Sequence, residues 1–184
     1  MVIYRSDGSG TTYVWTDYLS RTVPAWQQQV GFGTTVDWPV GWGAAGNKGV
    51  IDVIQETPYT IAYAELTFAI LAHLPYGAVE NAAAKFVKAD LTSVVAAAEA
   101  TIDLMPADYR QSITNAPGEA SYPIATYTWL LIPSHFADSA KRESLQKFLR
   151  WTLTQGQAIA PSVNYVPLPA QLATRESQVI DRLR

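Results

Sequence analysis

The stretch "VIYRSDGSGTTYVWTDYL", Val2 to Leu19, decides how the rest of the chain is read. Val2 to Tyr4 are apolar and β-prone, a run only long enough to be the end of a strand. At the far end Val14, Trp15, Tyr18 and Leu19 fall at i, i+1, i+4 and i+5, which is one face of a helix. The loop between them holds Arg5, Asp7, two glycines and several hydroxyl residues. A strand that ends in such a turn and feeds a helix leaves backbone N–H groups free at the positive end of the helix dipole, where an anion can sit. Ser9 and Thr11 add hydroxyl donors, and Gly8 and Gly10, lacking Cβ, let the backbone take positive φ and approach an oxyanion closely. Arg5 brings a guanidinium fork able to bond two phosphate oxygens. Asp7 lies two residues away and can pair with Arg5, fixing its orientation and cancelling part of its charge. The same residues also describe a plain turn and a capped helix with nothing bound, so the loop alone leaves both readings open.

Working outward, Pro24 can open a second short helix through Trp26 and Val30. From Gly31 to Gly49 the chain is Gly-rich, with two Trp and a Pro, and is expected to be a long ordered loop with at most one short strand. "NKGVIDVIQET" predicts a helix packed on one side through Val50, Ile51, Val53 and Ile54, and closed by Thr57-Pro58. "TIAYAE", 60–65, predicts a buried strand, and "LTFAILAHL" a helix running to Pro75. An Ala-rich helix is expected over 92–104, stopped by Pro106, and a turn at "SITNAPG", 112–118. "YPIATYTWLLIP", 122–133, is the strongest strand signal of all. Helical spacing returns over 137–155, and a Pro-bounded connector leads to a last amphipathic helix through Leu172, Val179, Ile180 and Leu183. Short strands alternating with helices give an α/β class.

Composition removes several kinds of function. The chain has 184 residues, 48% of them hydrophobic and 16% charged, enough for a substantial core. Thirteen basic against sixteen acidic residues, without a basic cluster, leave no basis for nucleic-acid or anionic-lipid binding. The absence of cysteine excludes disulfides, thiolate catalysis and cysteine-ligated zinc. The first residues show no basic region followed by an apolar run of signal-peptide length, and no segment approaches the roughly 18 apolar residues of a membrane span.

Other motifs fail on spacing. No Gly-Lys-Ser/Thr follows the opening loop, and "GWGAAGNKG" also lacks the Ser or Thr of a P-loop. Asp7-Gly8-Ser9-Gly10-Thr11 does not have the spacing of a nucleophile elbow, nor the Asp-Thr/Ser-Gly of an aspartic protease. His73 and His135 stand far apart beside prolines, with no metal-ligand spacing, and are expected in surface or capping roles. Glu65, Asp103 and Asp108 have no spacing suited to acid–base work, and the six tryptophans are expected mainly to pack. No catalytic set is visible.

Five segments in order, "RSDGSGTTYVWTDYLS", "VDWPVGWGAAGNKGV", "TIAYAEL", "SITNAPGEASYPIATYTWLLIP" and "WTLTQGQAIAPSVNYVPLP", resemble the C-terminal part of the periplasmic phosphate-binding protein of phosphate ABC transporters. The resemblance runs over essentially the whole chain. It implies an α/β, periplasmic-binding-protein-like (type II) fold of two lobes closing like a hinge, of which this chain covers the C-terminal portion. Residues 1–121 would belong to the second lobe with the anion loop, and 122–184, led by strand 124–132, would return to the first. It implies phosphate as ligand, a membrane permease as partner, no cofactor and no metal, and a periplasmic or extracytoplasmic location. Arg5, Ser9, Gly10 and Thr11 would bind phosphate, Ser9 through both its hydroxyl and its backbone N–H, with Asp7 bracing Arg5.

Two departures matter. The family's first segment, which carries the other wall of the site and an Asp that accepts the proton of hydrogen phosphate, has no counterpart in this sequence. Such a carboxylate rewards a protonated oxyanion and disfavours sulfate. A separate N-terminal segment, a second copy of the chain through domain swapping, or a rearranged fold is expected to cover what that segment leaves open. The milder departure is "GWGAAGNKG", where Trp42, Ala44 and Ala45 are taken as packing variation. Ala62-Tyr63-Ala64-Glu65 keeps the Tyr and Glu of a hinge-like segment. Charge-assisted hydrogen bonds contribute roughly 1.5–3 kcal/mol each and association costs about 4–15 kcal/mol, so half a site is expected to bind weakly or not at all. Two other readings stay open: a remnant that assembles with a partner, and a hydrolase of phosphate esters using Ser9.

Overall fold

In the computed structural model, which describes residues 1–184, β1 (Val2–Arg5) is the centre of a three-stranded parallel sheet. β2 (Trp42–Ala44) and β3 (Ile61–Ala62) flank it, with Ile3 opposite Trp42 on one side and Ala62 on the other. Parallel neighbours require crossovers. The first crossover contains α1 (Gly10–Thr22) and α2 (Pro24–Gln29), and the second is α3 (Gly46–Glu56). Pro24 opens α2, and Thr57 closes α3.

The core of this half centres on Ile3, which is fully buried together with Val50 of α3 and Thr12 and Thr16 of α1. Burial of an Ile or Val side chain is worth about 1.5–3 kcal/mol. Aromatic rings extend the core sideways: Tyr4 stacks on Trp38 at 5.2 Å, Trp38 on Tyr63 at 5.5 Å, and Tyr63 on Trp15 at 5.8 Å. Trp26 adds to the stack against Trp38 at 5.4 Å. Three tryptophans thus pack as expected, while Trp42, Trp129 and Trp151 stay exposed.

Beyond the sheet come α4 (Leu66–Leu71), an antiparallel pair of short strands, β4 (Val79–Glu80) and β5 (Phe86–Val87), and α5 (Leu91–Glu99). The hairpin is absent from the sequence reading because its strands are two residues long and lack alternation. Buried Asn81 holds it in place: its side-chain amide donates to the carbonyls of Gly118, Glu119 and Ser121, and its Oδ1 accepts from the N–H groups of Ala83 and Lys85. α5 begins with a reciprocal cap, Asp90 Oδ1 accepting from Ser93 N–H and Ser93 Oγ from Asp90 N–H. It ends at Glu99 and is followed by a 3₁₀ turn over Ile102–Leu104, so the expected helix to 104 is shorter than the alanine run suggested.

The C-terminal part contains α6 (Ser139–Leu153), capped by Asp138, and α7 (Ala170–Ile180). Leu172 packs with Ile102 and Met105, and Arg175 donates to both of their carbonyls, at 3.0 and 3.2 Å. Gln146 of α6 donates to Ile180 O of α7. No helix is long and apolar enough to cross a membrane.

Two strand expectations fail. The buried strand over 60–65 is a two-residue edge strand whose Ile61 is 68% exposed, since nothing lies outside it. The segment 122–133 forms no strand at all. Its composition favours extended chain, but a strand exists only against a paired neighbour, and past the Pro123 carbonyl, which accepts from Asn115 N–H, none of its backbone groups pairs with another segment.

Candidate anion-binding site

Arg5 is the last residue of β1, and its backbone N–H donates to the Tyr63 hydroxyl at 3.0 Å. The same hydroxyl lies 2.7 Å from Thr12 Oγ1. Tyr63, buried between Trp15 and Trp38, thereby fixes the strand end against the start of α1. Burial raises the Tyr63 phenol above its ordinary pKa, so it stays a neutral donor and acceptor.

The expected pairing of Arg5 with Asp7 is present and bidentate: Nε donates to Oδ1 at 2.8 Å and Nη2 to Oδ2 at 2.6 Å. Nη1 donates to Asn47 Oδ1 at 3.1 Å. The guanidinium has five N–H groups, and two of them remain without a partner in the chain. Arg5 keeps 10% of its side-chain surface and Asp7 41%. The hydrogen bond from Arg5, seconded by the N–H of Gly46 at 2.9 Å, holds the Asp7 carboxyl well below the usual carboxylate range. The Asp7 hydrogen bond in turn raises the Arg5 pKa.

Gly46 and Asn47 begin α3, and Gly46 has φ +68°, a conformation that favours glycine. In the sequence reading Gly46 and Asn47 have no assigned role; within "GWGAAGNKG" only Trp42, Ala44 and Ala45 are read, as packing variation. The legible signal was a Gly-Asn pair opening a helix just after a strand, the same grammar as the first loop. Gly43 in β2 is also needed, since a Cβ there would come within 2.9 Å of Ser6 Cβ.

Ser9 is the N-cap of α1, its buried Oγ accepting from the N–H groups of Thr11 at 3.1 Å and Thr12 at 3.2 Å. Its own N–H, expected to face an anion, donates instead to Thr34 O at 2.9 Å. The Gly10 N–H, at the first helical position, has no acceptor in the chain. Neither Gly8 nor Gly10 takes positive φ, and a Cβ at either would meet nothing within 4 Å. What they give the loop is open space. The structure thus forms two groups, Arg5–Asp7–Gly46–Asn47 and Ser9–Gly10–Thr11, on one strand–loop–helix unit, with no hydrogen bond joining them. Spare donors remain in both: two guanidinium N–H groups, the Gly10 N–H, and the hydroxyl protons of Ser9 and Thr11.

A family model described as a PBP superfamily domain matches residues 1–155. The chain belongs to the PBP superfamily. Among curated relatives of this PBP-superfamily chain, the phosphate-binding protein PstS of Xylella fastidiosa is 39% identical over 171 residues, which is 93% of this chain and 47% of the relative. The phosphate-binding protein PstS of Methanocaldococcus jannaschii is 40% identical over 192 residues, 94% of this chain and 49% of the relative. This chain therefore spans about half the length of the curated relatives it matches.

The fold is also found in solved structures. A high affinity periplasmic phosphate-binding protein bound with phosphate superposes with a TM-score of 0.73 at 22% identity, covering 96% of this chain and 56% of that one. A human phosphate binding apolipoprotein gives a TM-score of 0.68 at 19% identity, covering 95% and 57%. The PBP-like α/β fold expected from the sequence is therefore shared, as a partial fold, and these relatives and neighbours are named as binding proteins rather than enzymes.

Proposed function

We propose that this chain supplies one side of an inorganic-phosphate site in the solute-binding component of an ABC importer. It would work outside the cytoplasmic membrane and hand phosphate to a membrane permease. Residues 1–121 would form part of the lobe that bears the loop, and 122–184 would return to the opposite lobe. The observation that carries the reading is the Arg5 guanidinium, clamped by Asp7 and Asn47 yet keeping two free N–H groups, beside an α1 whose Gly10 N–H is unused. The names of the relatives supply phosphate as the oxyanion.

The same geometry sets the affinity. Asp7 cancels part of the Arg5 charge, and the Ser9 N–H is already committed to Thr34. The remaining donors, at roughly 1.5–3 kcal/mol each for those made to a charged group, barely offset an association cost of about 4–15 kcal/mol. Millimolar binding is the expectation. Phosphate titrated into the ¹⁵N-labelled chain should shift the amide signals of Gly10 and Thr11 and the Arg5 Nε–H together, and Arg5→Ala should remove these shifts. Shifts confined to other residues, or unchanged by Arg5→Ala, would overturn the assignment.

A further inference from the structure

The Arg5 guanidinium is held from two sides. Asp7 grips Nε and Nη2, but it belongs to the same loop and is 41% exposed. The bond that ties the guanidinium to a different element runs from Nη1 to Asn47 Oδ1 at 3.1 Å, at the start of α3. One N–H on Nη1 and one on Nη2 are left over, so the plane that carries them is set jointly by Asp7 and Asn47.

Glu65 in turn holds Asn47. Its backbone N–H donates to Asn47 Oδ1 at 3.4 Å, and its Oε2 accepts from Asn47 Nδ2 at 3.5 Å. Both contacts are long, and both specify the same orientation of the amide. A guanidinium only donates and a carboxylate only accepts, so a turned Asn47 would set its NH₂ against Arg5 and its oxygen against Glu65. Glu65 stands at the N-cap of α4, yet its side chain makes no cap bond there. Its other oxygen, Oε1, accepts from the Tyr165 hydroxyl at 2.8 Å, across 100 positions of sequence. Tyr165 is itself fixed: Asn164 before it is left-handed, with φ +60°, and the Tyr165 N–H closes on Ala160 O at 2.9 Å. The bond to Glu65 raises the phenol above its ordinary pKa and keeps it a donor.

We infer that Glu65 is a positioning residue for the anion site: acting through Asn47, it holds the Arg5 guanidinium and its two free N–H groups in one orientation, with Tyr165 anchoring the carboxylate from the C-terminal connector. The inference rests on the phosphate reading, which makes Arg5 the group that meets the anion. It also predicts a sign. By charge alone, a carboxylate beside an anion site weakens binding, so its removal should tighten it. By positioning, its removal should loosen it.

Inorganic phosphate titrated into the ¹⁵N-labelled full chain, followed at the Arg5 Nε–H, separates the two. Glu65→Ala should weaken binding by about 3- to 10-fold, the range one lost hydrogen bond commands. Its melt should stay close to wild type, since α4 draws no cap from that side chain. Glu65→Gln keeps an acceptor for Asn47 without the charge and should recover most of the loss. Tyr165→Phe, at a residue 51% exposed, should weaken binding by about 2-fold. In an Asn47→Ala background, Glu65→Ala should have no further effect. Tighter or unchanged binding in Glu65→Ala, unchanged binding in Tyr165→Phe, no recovery by Glu65→Gln, or a full additional loss in the Asn47→Ala background would each overturn the inference, while an Arg5 shift in the wild-type chain leaves the phosphate reading standing. No Arg5 shift in the wild-type chain would overturn both.

Discussion

Arg5 and Asp7 act as one unit. Asp7 is depressed well below the carboxylate range first by Arg5 and then by the Gly46 N–H. A carboxyl depressed on folding stabilises the folded state above its unfolded pKa, near pH 4, and loses that contribution as pH falls toward its folded value. The difference in melting temperature between wild type and Asp7→Asn should therefore be constant from about pH 7 to pH 5 and shrink below about pH 4. A difference that stays constant down to pH 2 would contradict the pairing. The Arg5–Asp7 contact was legible because its partners are two residues apart. Asn47 was not, because it meets Arg5 across 42 positions of sequence through the sheet. Ser9 shows a further limit: residue type announced a donor, while only the fold shows its N–H spent on Thr34.

At the scale of elements, β1, the loop and α1 form the unit whose sequence was most informative. The hydrophobic spacing, the cap residue and the glycines all describe one strand–turn–helix, and the structure has it with α1 over Gly10–Thr22. Ser9 carries two roles there that substitutions can separate. Ser9→Ala should cost about 1 kcal/mol through the lost cap and Ser9→Gly only a few tenths, as measured by urea unfolding. Both should weaken phosphate binding alike, because both lack the hydroxyl; equal stability losses would argue that the cap is not what Ser9 supplies. The elements that were misread share a physical cause. Strands 60–65 and 122–133 have strong local propensity, yet a strand is defined by its neighbours, and propensity carries no information about them. The β4–β5 hairpin is the converse, with almost no local signal and an arrangement fixed by the five hydrogen bonds of Asn81.

For the whole molecule, the chain spans about half the length of the curated relatives it matches. The PBP-superfamily fold brings the loop of β1, the start of α3 and the buried Tyr63 together, and this assembly presents donors from one side. Under the proposed reading, capture of phosphate from one side would rest on a few hydrogen bonds, too few for high affinity. Calorimetric titration of phosphate into the purified chain, alone at dilution, tests this most directly. The account predicts a dissociation constant no tighter than about 1 mM, equivalent to about −4 kcal/mol, and micromolar binding by the chain alone would contradict it.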